Sequence, residues 1–431
     1  MFSMYSHVFF ILMLKLSNCQ RKIINGKEIG VDKPYVGYLV KAQVSPQKYD
    51  AWICGGAIVS PMYIITSAAC IEDVQHLYAV VGYKKYVHSA NLNDDKCTKN
   101  TKKKIVLTCV PKAYELDYTK VSVWSYIDIA VVKTESAIQF NDEKYTKFCS
   151  YSPAAIPVNY ESRYQDPGTD AVVYGWGHKE IYRKPHDAED YNQKTLQYAP
   201  QLLQEKSVCK KVYKGYNMDL VIDKYMLCTM EGGNVDEKGD LIGKSKPVLV
   251  DGCVTKRQRL MGAGGISCEE NEEMPEYIQD PIIFDATRRN GSQTNETYTS
   301  TRRHGICQND HGGPLVRWIG NREVLIGVAS VFRVNNKSQC VGPFLFTSTQ
   351  CNGKFLDCVL NEDGESLRRN LYCDEPPSVR GFDMIRRTIS WMDHPEGPAE
   401  NEIQMRPQIP LRNYGYTANQ DGNVRRVVPY K

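Results

Sequence analysis

The sequence lacks a long apolar run and lacks a strong excess of one charge. No segment comes near the roughly 20 apolar residues that a membrane-spanning helix requires, so a polytopic membrane protein is excluded and no membrane span is predicted. Basic side chains number 54 against 50 acidic ones, and the net charge is +4. Nucleic acid is therefore not predicted as a partner, because proteins that bind it usually carry a basic patch or stripe.

Internal repeats and residue groups with metal-ligand spacing are lacking too. His304 lies close to His311 in the sequence, but no set of His, Cys, Asp and Glu has the spacing of a zinc site. We therefore predict neither a metal nor a cofactor.

The first residues have the pattern of a secretory signal peptide. Val8–Leu14 is a short apolar core, and Ser17 and Cys19 supply small residues before a cut that would remove residues 1–19. Of the 15 cysteines, this cut removes one, and the even number left is typical of a disulfide framework in a secreted chain. Three glycosylation sequons agree with an extracellular destination, at Asn290, Asn295 and Asn336.

Most of the chain alternates short β-type segments with turn signals. Tyr35–Val44 and Ala57–Thr66 are examples, and the pattern predicts an all-β protein built from hairpins. One late segment has helical spacing instead, which predicts an amphipathic helix that closes the domain; its residues are Phe382, Ile385, Ile389, Trp391 and Met392.

Three regions depart from the β pattern. Residues 229–306 are rich in mixed charge, and residues 350–378 carry three cysteines, so both are interpreted as inserts. Residues 393–431 are rich in Pro, Asn, Gln and Arg and are predicted to be a flexible tail. The predicted organisation is a short propeptide at 20–22, then one domain over 23–392 that contains both inserts.

Six blocks, in order along the chain, resemble those of the chymotrypsin and trypsin family of serine proteases. The blocks are Lys22–Gly26, Trp52–Ser60, Ile65–Cys70, Tyr126–Ala130, Val173–Gly177 and Cys307–Leu315. The resemblance implies two six-stranded antiparallel barrels with the site between them. It also implies three disulfides, Cys54–Cys70, Cys209–Cys228 and Cys307–Cys340. A further pair, Cys97–Cys109, is compatible with a local loop.

The positions that correspond to the family's catalytic triad are degenerate. Ala69 stands at the position of the histidine base, and His311 at the position of the serine nucleophile, so that Asp128 alone matches. A methyl group cannot accept a proton, and an imidazole next to a carboxylate has no hydroxyl to activate. Asn309 replaces a glycine of the oxyanion hole, and we expect its side chain to disturb the local backbone.

The residues of the implied specificity pocket also differ from the family pattern. Gly305 corresponds to the base of the pocket, where trypsin-like enzymes carry an aspartate. Phe332 replaces a glycine in the wall segment that begins at Ser330, and we expect its ring to narrow the pocket. We also expect Ser330 to hydrogen-bond to Asp128, which would then be a structural group.

The resemblance further implies an activation junction at Lys22–Ile23. Cleavage there would free the ammonium group of Ile23 to pair with Asp310. Two interpretations stay open: the junction switches the protein, or it is inherited without effect.

The leading hypothesis is a secreted, non-catalytic homologue that binds an extracellular protein, an active protease being one candidate, as a partner, cofactor or decoy. Residues 229–306 are the predicted partner surface. One alternative is an active endopeptidase with a rearranged site. Another is a structural extracellular protein cross-linked through some of its 28 tyrosines.

Overall fold

The computed structural model divides the chain into two compact units, Met1–Ile389 and Ser390–Lys431. The residues that it describes are 26–42, 51–72, 74–179, 181–184, 187–230, 232–242, 305–360 and 384–405. Predictions about the signal peptide, Lys22, Ile23, Asn290, Asn295 and His304 lie outside them.

The first barrel is antiparallel and closes through the pairing of its strands β6 and β7. The order in its sheet is β14-β6-β5-β2-β3-β4-β7, so six strands close the barrel and β14 pairs outside with β6. These strands are β2 (Val36–Lys41), β3 (Ile53–Ile58), β4 (Tyr63–Thr66), β5 (Leu77–Val81), β6 (Lys103–Pro111), β7 (Ala130–Thr134) and β14 (Met384–Thr388).

The second barrel closes in the same way, through β8 and β9. Its order is β1-β9-β10-β13-β12-β11-β8, with β1 paired outside the six closed strands. The strands are β1 (Lys27–Glu28), β8 (Asp170–Gly175), β9 (Gln197–Gln204), β10 (Met226–Thr229), β11 (Pro314–Ile319), β12 (Arg322–Val334) and β13 (Cys340–Ser348). The predicted fold of two six-stranded barrels is confirmed.

The barrel cores follow from the period-2 alternation of the strands. In β5, Leu77, Ala79 and Val81 all point into the first core. In β13, Phe344 and Phe346 do the same in the second core. The predicted hairpins therefore bury one apolar face each against the inside of a closed barrel.

The described α-helices are short and lie between strands or after them. They are α1 (Lys96–Thr101), α2 (Val121–Trp124), α3 (Glu143–Phe148), α4 (Lys206–Val212), α5 (Asp219–Tyr225), α6 (Gly353–Leu360) and α7 (Glu400–Met405). None of these helices is long and apolar enough to cross a bilayer. Three 3-10 turns complete the set, at Ala68–Cys70, Ser89–Asn91 and Ser162–Tyr164.

The predicted closing helix around residues 382–392 is wrong. Met384–Thr388 is strand β14, antiparallel to β6. Ile385 and Ile389 both pack against the first core. Residues four apart share a face in a strand as well as in a helix, so this spacing did not discriminate between them. The helix that follows the last strand of the second barrel is α6, inside the segment interpreted as an insert at 350–378.

All three disulfides implied by the resemblance are present, with Cα–Cα distances of 6.1 Å for Cys54–Cys70, 6.0 Å for Cys209–Cys228 and 5.4 Å for Cys307–Cys340. The suggested Cys97–Cys109 pair is wrong, because Cys97 of α1 bonds to Cys149, directly after α3. Of the sequons, Asn336 is exposed in the turn between β12 and β13.

Within the predicted tail, the structure describes residues as far as 405. The carboxylate of Glu402 accepts hydrogen bonds from the backbone N–H of Trp391 at 3.0 Å and of Ala399 at 2.9 Å. The beginning of this segment is thus folded around α7.

Candidate functional site

The candidate site lies where loops of the two barrels meet. The first barrel contributes the 3-10 turn at Ala68–Cys70, directly after β4, and Asp128, two residues before β7. The second barrel contributes the loop at 307–313, before β11, and Ser330 of β12. The loop is bound to the first barrel, because the N–H of Gly55 donates to the carbonyl oxygen of His311 at 2.7 Å.

Asp128 is fully buried and its carboxylate is well supplied with donors. The hydroxyl of Ser67 donates to Oδ1 at 2.6 Å and the backbone N–H of Ala69 donates to the same oxygen at 2.9 Å. The hydroxyl of Ser330 donates to Oδ2 at 2.6 Å. Ser330 therefore contacts Asp128 as expected. Ser67 is a donor that the sequence reasoning missed.

His311 sits between two aromatic rings and is half-buried. Its ring centroid lies 5.7 Å from that of Trp124 and 5.9 Å from that of Phe332. Burial lowers the pKa of the imidazole, while the negative charge of Asp128 acts in the opposite direction. Among the residues that the structure describes, none donates a hydrogen bond to this imidazole or accepts one from it. Trp124 is a neighbour that the sequence did not reveal.

Ala69 contacts the Asp128 carboxylate with its backbone N–H, since its methyl side chain has no polar group. The structure thus brings the three predicted positions, Ala69, Asp128 and His311, into one site. Its chemistry is that of a methyl group, a carboxylate bound to three donors, and an imidazole packed between rings. None of these three side chains is a hydroxyl or thiol nucleophile, and the hydroxyls of Ser67 and Ser330 that bind the carboxylate are fully buried.

The predicted specificity pocket is filled at its base. A Cβ on Gly305 would lie 2.0 Å from the ring of Phe344, which is itself 1% exposed. Phe332 lies between His311 and Tyr182, and its ring centroid is 6.2 Å from that of Tyr182. An aromatic side chain therefore occupies each of the two places where the resemblance implies space for a peptide side chain.

Asp310 is buried in a different way. Its carboxylate accepts hydrogen bonds from the backbone N–H of Gly177 at 2.8 Å and of Cys307 at 3.0 Å. A Cβ on Gly175 would lie 2.3 Å from the Oδ1 of Asp310, so this close approach requires glycine. Burial raises the pKa of Asp310 to about 7, against the effect of the two donors. No described cation pairs with it.

Asn309 corrects one expectation. Its φ is +72°, the left-handed conformation that glycine adopts freely and that Asn tolerates better than most residues. Its Nδ2 donates to Asn192 Oδ1 at 2.8 Å and to the carbonyl oxygen of Ala51 at 3.1 Å, and lies 3.3 Å from His178 Nε2. The side chain thus anchors the backbone in a glycine-like conformation instead of disturbing it. The sequence pointed to neither Asn192 nor His178.

Within the described ranges, no three His, Cys, Asp or Glu residues are grouped so that they could hold a metal ion.

Parts of this chain are similar to known proteins. Residues 29–240 match the family model Trypsin. The chain is 29% identical over 161 residues to Venom serine protease 34 of Apis mellifera, which covers 36% of this chain and 35% of that protein. It is 25% identical over 288 residues to Snake venom serine protease 3 of Craspedocephalus gramineus, which covers 64% of this chain and 90% of that protein. The chain therefore spans little more than a third of the first relative's length.

Among solved structures, the scabies mite inactivated protease paralogue S-D1 is 16% identical to this chain. The match covers 80% of this chain and 99% of that one, with a TM-score of 0.44.

Proposed function

We propose that this chain, which carries a domain of the trypsin-like serine protease family, is a secreted, non-catalytic member of that family. In this proposal it acts by binding another extracellular protein, as a partner, cofactor or decoy. The whole-protein activities of the relatives are not transferred to it.

The observation that carries the proposal is the hydrogen bonding of Asp128. In a working triad this carboxylate orients a histidine base. Here both of its oxygens accept hydrogen bonds from Ser67, Ala69 and Ser330. The base position offers only a methyl group, and His311 has no hydroxyl partner among the described residues. Asp128 therefore serves the fold, and peptide hydrolysis has neither a nucleophile nor a base.

The filled pocket supports the same proposal from the substrate side. The ring of Phe344 covers Gly305, and Phe332 stands at the wall. A peptide side chain could enter only if these rings moved. Binding of a partner in the manner of a protease substrate is therefore not favoured.

The insert at 229–306 is the proposed partner surface, because both of its ends adjoin the former pocket. Thr229, where it leaves, pairs with Phe344 across β10 and β13, and Gly305, where it returns, packs on the same ring. Its first residues are firmly anchored: Asn234 donates to Asp170 at 2.7 Å, and Gly239 packs on the indole of Trp318. An active trypsin-like protease is the first partner class to test.

Secretion is part of the proposal. Disulfides of this kind persist in oxidising compartments, and the names of two matched relatives place them in venom.

We also propose that cleavage after Lys22 changes the affinity of the chain for its protein partner. The segment that follows the junction is attached to the beginning of the insert: Gly30 N–H donates to Glu237 Oε1 at 3.2 Å, and Lys33 Nζ donates to the Glu237 carbonyl oxygen at 2.5 Å. A change in the N-terminal segment would therefore reach the predicted partner surface. The buried Asp310, with no described counter-ion, is the expected acceptor of the new ammonium group.

The first test uses the mature chain, cut and uncut at Lys22, with a fluorophosphonate probe and a broad mixture of peptide substrates. We expect no labelling and no cleavage in either form. The matched control is the double variant Ala69→His/His311→Ser, which rebuilds the triad and is expected to label. Turnover by the unaltered chain that disappears in a folded His311→Ala variant would overturn the proposal and establish the alternative of a rearranged endopeptidase.

The second test measures binding of the chain to purified active trypsin-like proteases. We expect binding to be lost when residues 243–304 are replaced by a short linker and to differ between the cut and uncut forms. Equal binding by the two forms would reject the cleavage part alone.

A further inference from the structure

The loop at 307–313 contains a non-glycine residue in a conformation that favours glycine. Asn309 has a φ of +72° and is 6% exposed. A buried side chain in the left-handed region persists only where surrounding contacts hold it. The contacts of its amide group therefore show what fixes this loop.

The carbonyl oxygen of Ala51 determines the orientation of two side-chain amides. A carbonyl oxygen can only accept, and it receives Nδ2 of Asn192 at 2.5 Å and Nδ2 of Asn309 at 3.1 Å. Because Asn192 presents its Nδ2 to Ala51, its Oδ1 is left to accept from Asn309 at 2.8 Å. The two amides thus have one consistent arrangement.

The same logic assigns the proton on His178, which is fully buried. Its Nδ1 lies 3.0 Å from the carbonyl oxygen of Ile181, which can only accept, so Nδ1 carries the proton. Nε2 is then an acceptor and faces the amide of Asn309 at 3.3 Å. The backbone N–H of His178 also donates to the carbonyl oxygen of Gln308 at 2.8 Å. The chain around residue 178 is therefore bound directly to the loop.

We propose that the Asn309 side chain, together with Ala51, His178 and Asn192, is a latch that holds the 307–313 loop in its present conformation without an ion pair at Asp310. The latch joins three separate chain segments: residue 51 before β3, residues 178–192 after β8, and the loop itself. It would make the loop geometry independent of cleavage after Lys22. Cleavage would then change the charge next to Asp310 and leave the loop conformation as it is.

The test is hydrogen exchange of the loop in the uncut mature chain and in the chain cut after Lys22. The amides to follow are those of His178, Asp310, Gly312 and Gly313, all of which donate to backbone carbonyls. In the unaltered protein we expect equal protection in both forms. In Asn309→Gly, which removes the amide group without backbone strain, we expect exchange at these positions to be at least about tenfold faster before cleavage.

The matched control is Asn335→Gly, in the turn after β12, where the Oδ1 of Asn335 accepts hydrogen bonds from two backbone N–H groups. We expect it to leave the loop unchanged. If Asn309→Gly does not fold, Asn192→Ala removes one acceptor and leaves the backbone of residue 309 untouched. Recovery of protection by Asn309→Gly on cleavage would support the latch further.

Two results would overturn the latch. One is normal protection of the loop in both Asn309→Gly and Asn192→Ala. The other is an unprotected loop in the unaltered uncut protein that becomes protected only on cleavage. Neither result depends on whether the protein binds a partner, so the latch and the proposed function can fail separately.

Discussion

Two buried aspartates in this molecule, Asp128 and Asp310, differ in the groups that stabilise the charge of their carboxylates. Asp128 and Asp310 are 0% and 1% exposed. Asp128 accepts three hydrogen bonds, two of them from hydroxyls at 2.6 Å. Asp310 accepts two, both from backbone N–H groups, and no described cation faces it. Side chains and backbone of the fold donate hydrogen bonds to both oxygens of Asp128. At Asp310, burial raises the pKa, so the charged form of this carboxylate is disfavoured unless a cation pairs with it.

The difference separates a buried carboxylate that side chains of the fold bind from one that only backbone donors bind. Asp128 accepts hydrogen bonds from residues of both barrels, and two of its three donors are serine side chains. Among the described residues, Asp310 has two backbone donors and neither a side-chain donor nor a cation.

The largest effect is expected for Asp128→Ala. The substitution removes the acceptor that Ser67, Ala69 and Ser330 share, so these buried donors lose their hydrogen-bond partner. It also leaves a small cavity. We expect a loss of about 3–5 kcal/mol in the free energy of unfolding, measured by chemical denaturation with disulfides intact. Asp94→Ala, at an exposed position, is the control and should change stability by less than about 0.5 kcal/mol. Equal effects would remove the contrast.

Asp310→Asn should change how stability depends on pH. Because the pKa of Asp310 is raised to about 7 from 3.8, the uncut folded chain binds more protons than the unfolded chain between these values. Its contribution is therefore lost as pH rises from about 4 to 7, by up to about 4 kcal/mol. Relative to the unaltered uncut protein, Asp310→Asn should lack this decrease. Cleavage after Lys22 should abolish the decrease in the unaltered protein alone.

His178 should make the free energy of unfolding depend on pH in the opposite direction, over nearly the same pH range as Asp310. The pKa of His178 is lowered from 6.5 to about 4, mainly by burial and also by the charge of Arg183. The hydrogen bond to the Ile181 carbonyl and the charge of Asp187 act in the opposite direction. The ring of Tyr191 lies next to the imidazole, with 5.5 Å between the ring centroids. Stability from this group is lost as pH falls from about 6.5 to 4, by up to about 3 kcal/mol. In the unaltered protein the effects of His178 and Asp310 on stability partly cancel. Chemical denaturation of His178→Gln across this pH range should therefore show a steeper loss of stability with rising pH, which is the effect of Asp310 alone. An unchanged pH profile would contradict this.

The smallest effect compares two hydroxyls on the same carboxylate. Ser330→Ala leaves Oδ2 of Asp128 without another hydrogen-bond donor among the described residues, whereas Ser67→Ala leaves Oδ1 with the N–H of Ala69. Ser330→Ala should therefore cost more by about 1 kcal/mol in unfolding free energy. A double variant tests whether the two losses add. A larger loss for Ser67→Ala than for Ser330→Ala would contradict the prediction, and non-additive losses would show that the two donors are coupled.

Much of the fold was predictable because the pattern of alternating β segments and the six blocks both identify the barrels. The positions Ala69, Asp128 and His311 could be named from the sequence because each stands at a fixed place within a block. Gly305 and Phe332 lie outside the blocks and were named from their places relative to His311 and Ser330. The prediction of a helix near residue 385 failed because residues four apart share a face in both helix and strand. The Cys97–Cys149 pair was missed because sequence separation alone does not select a cysteine partner.

Side-chain identity, which is read directly from the sequence, decides whether a group can accept a proton: Ala69 cannot act as a base, and His311 is no hydroxyl nucleophile. What surrounds these positions could be seen only in the folded chain. The donors to Asp128, the rings around His311, the ring on Gly305 and the amides around Asn309 come from segments far apart along the chain. Such contacts depend on which strands close each barrel, and no local pattern encodes that.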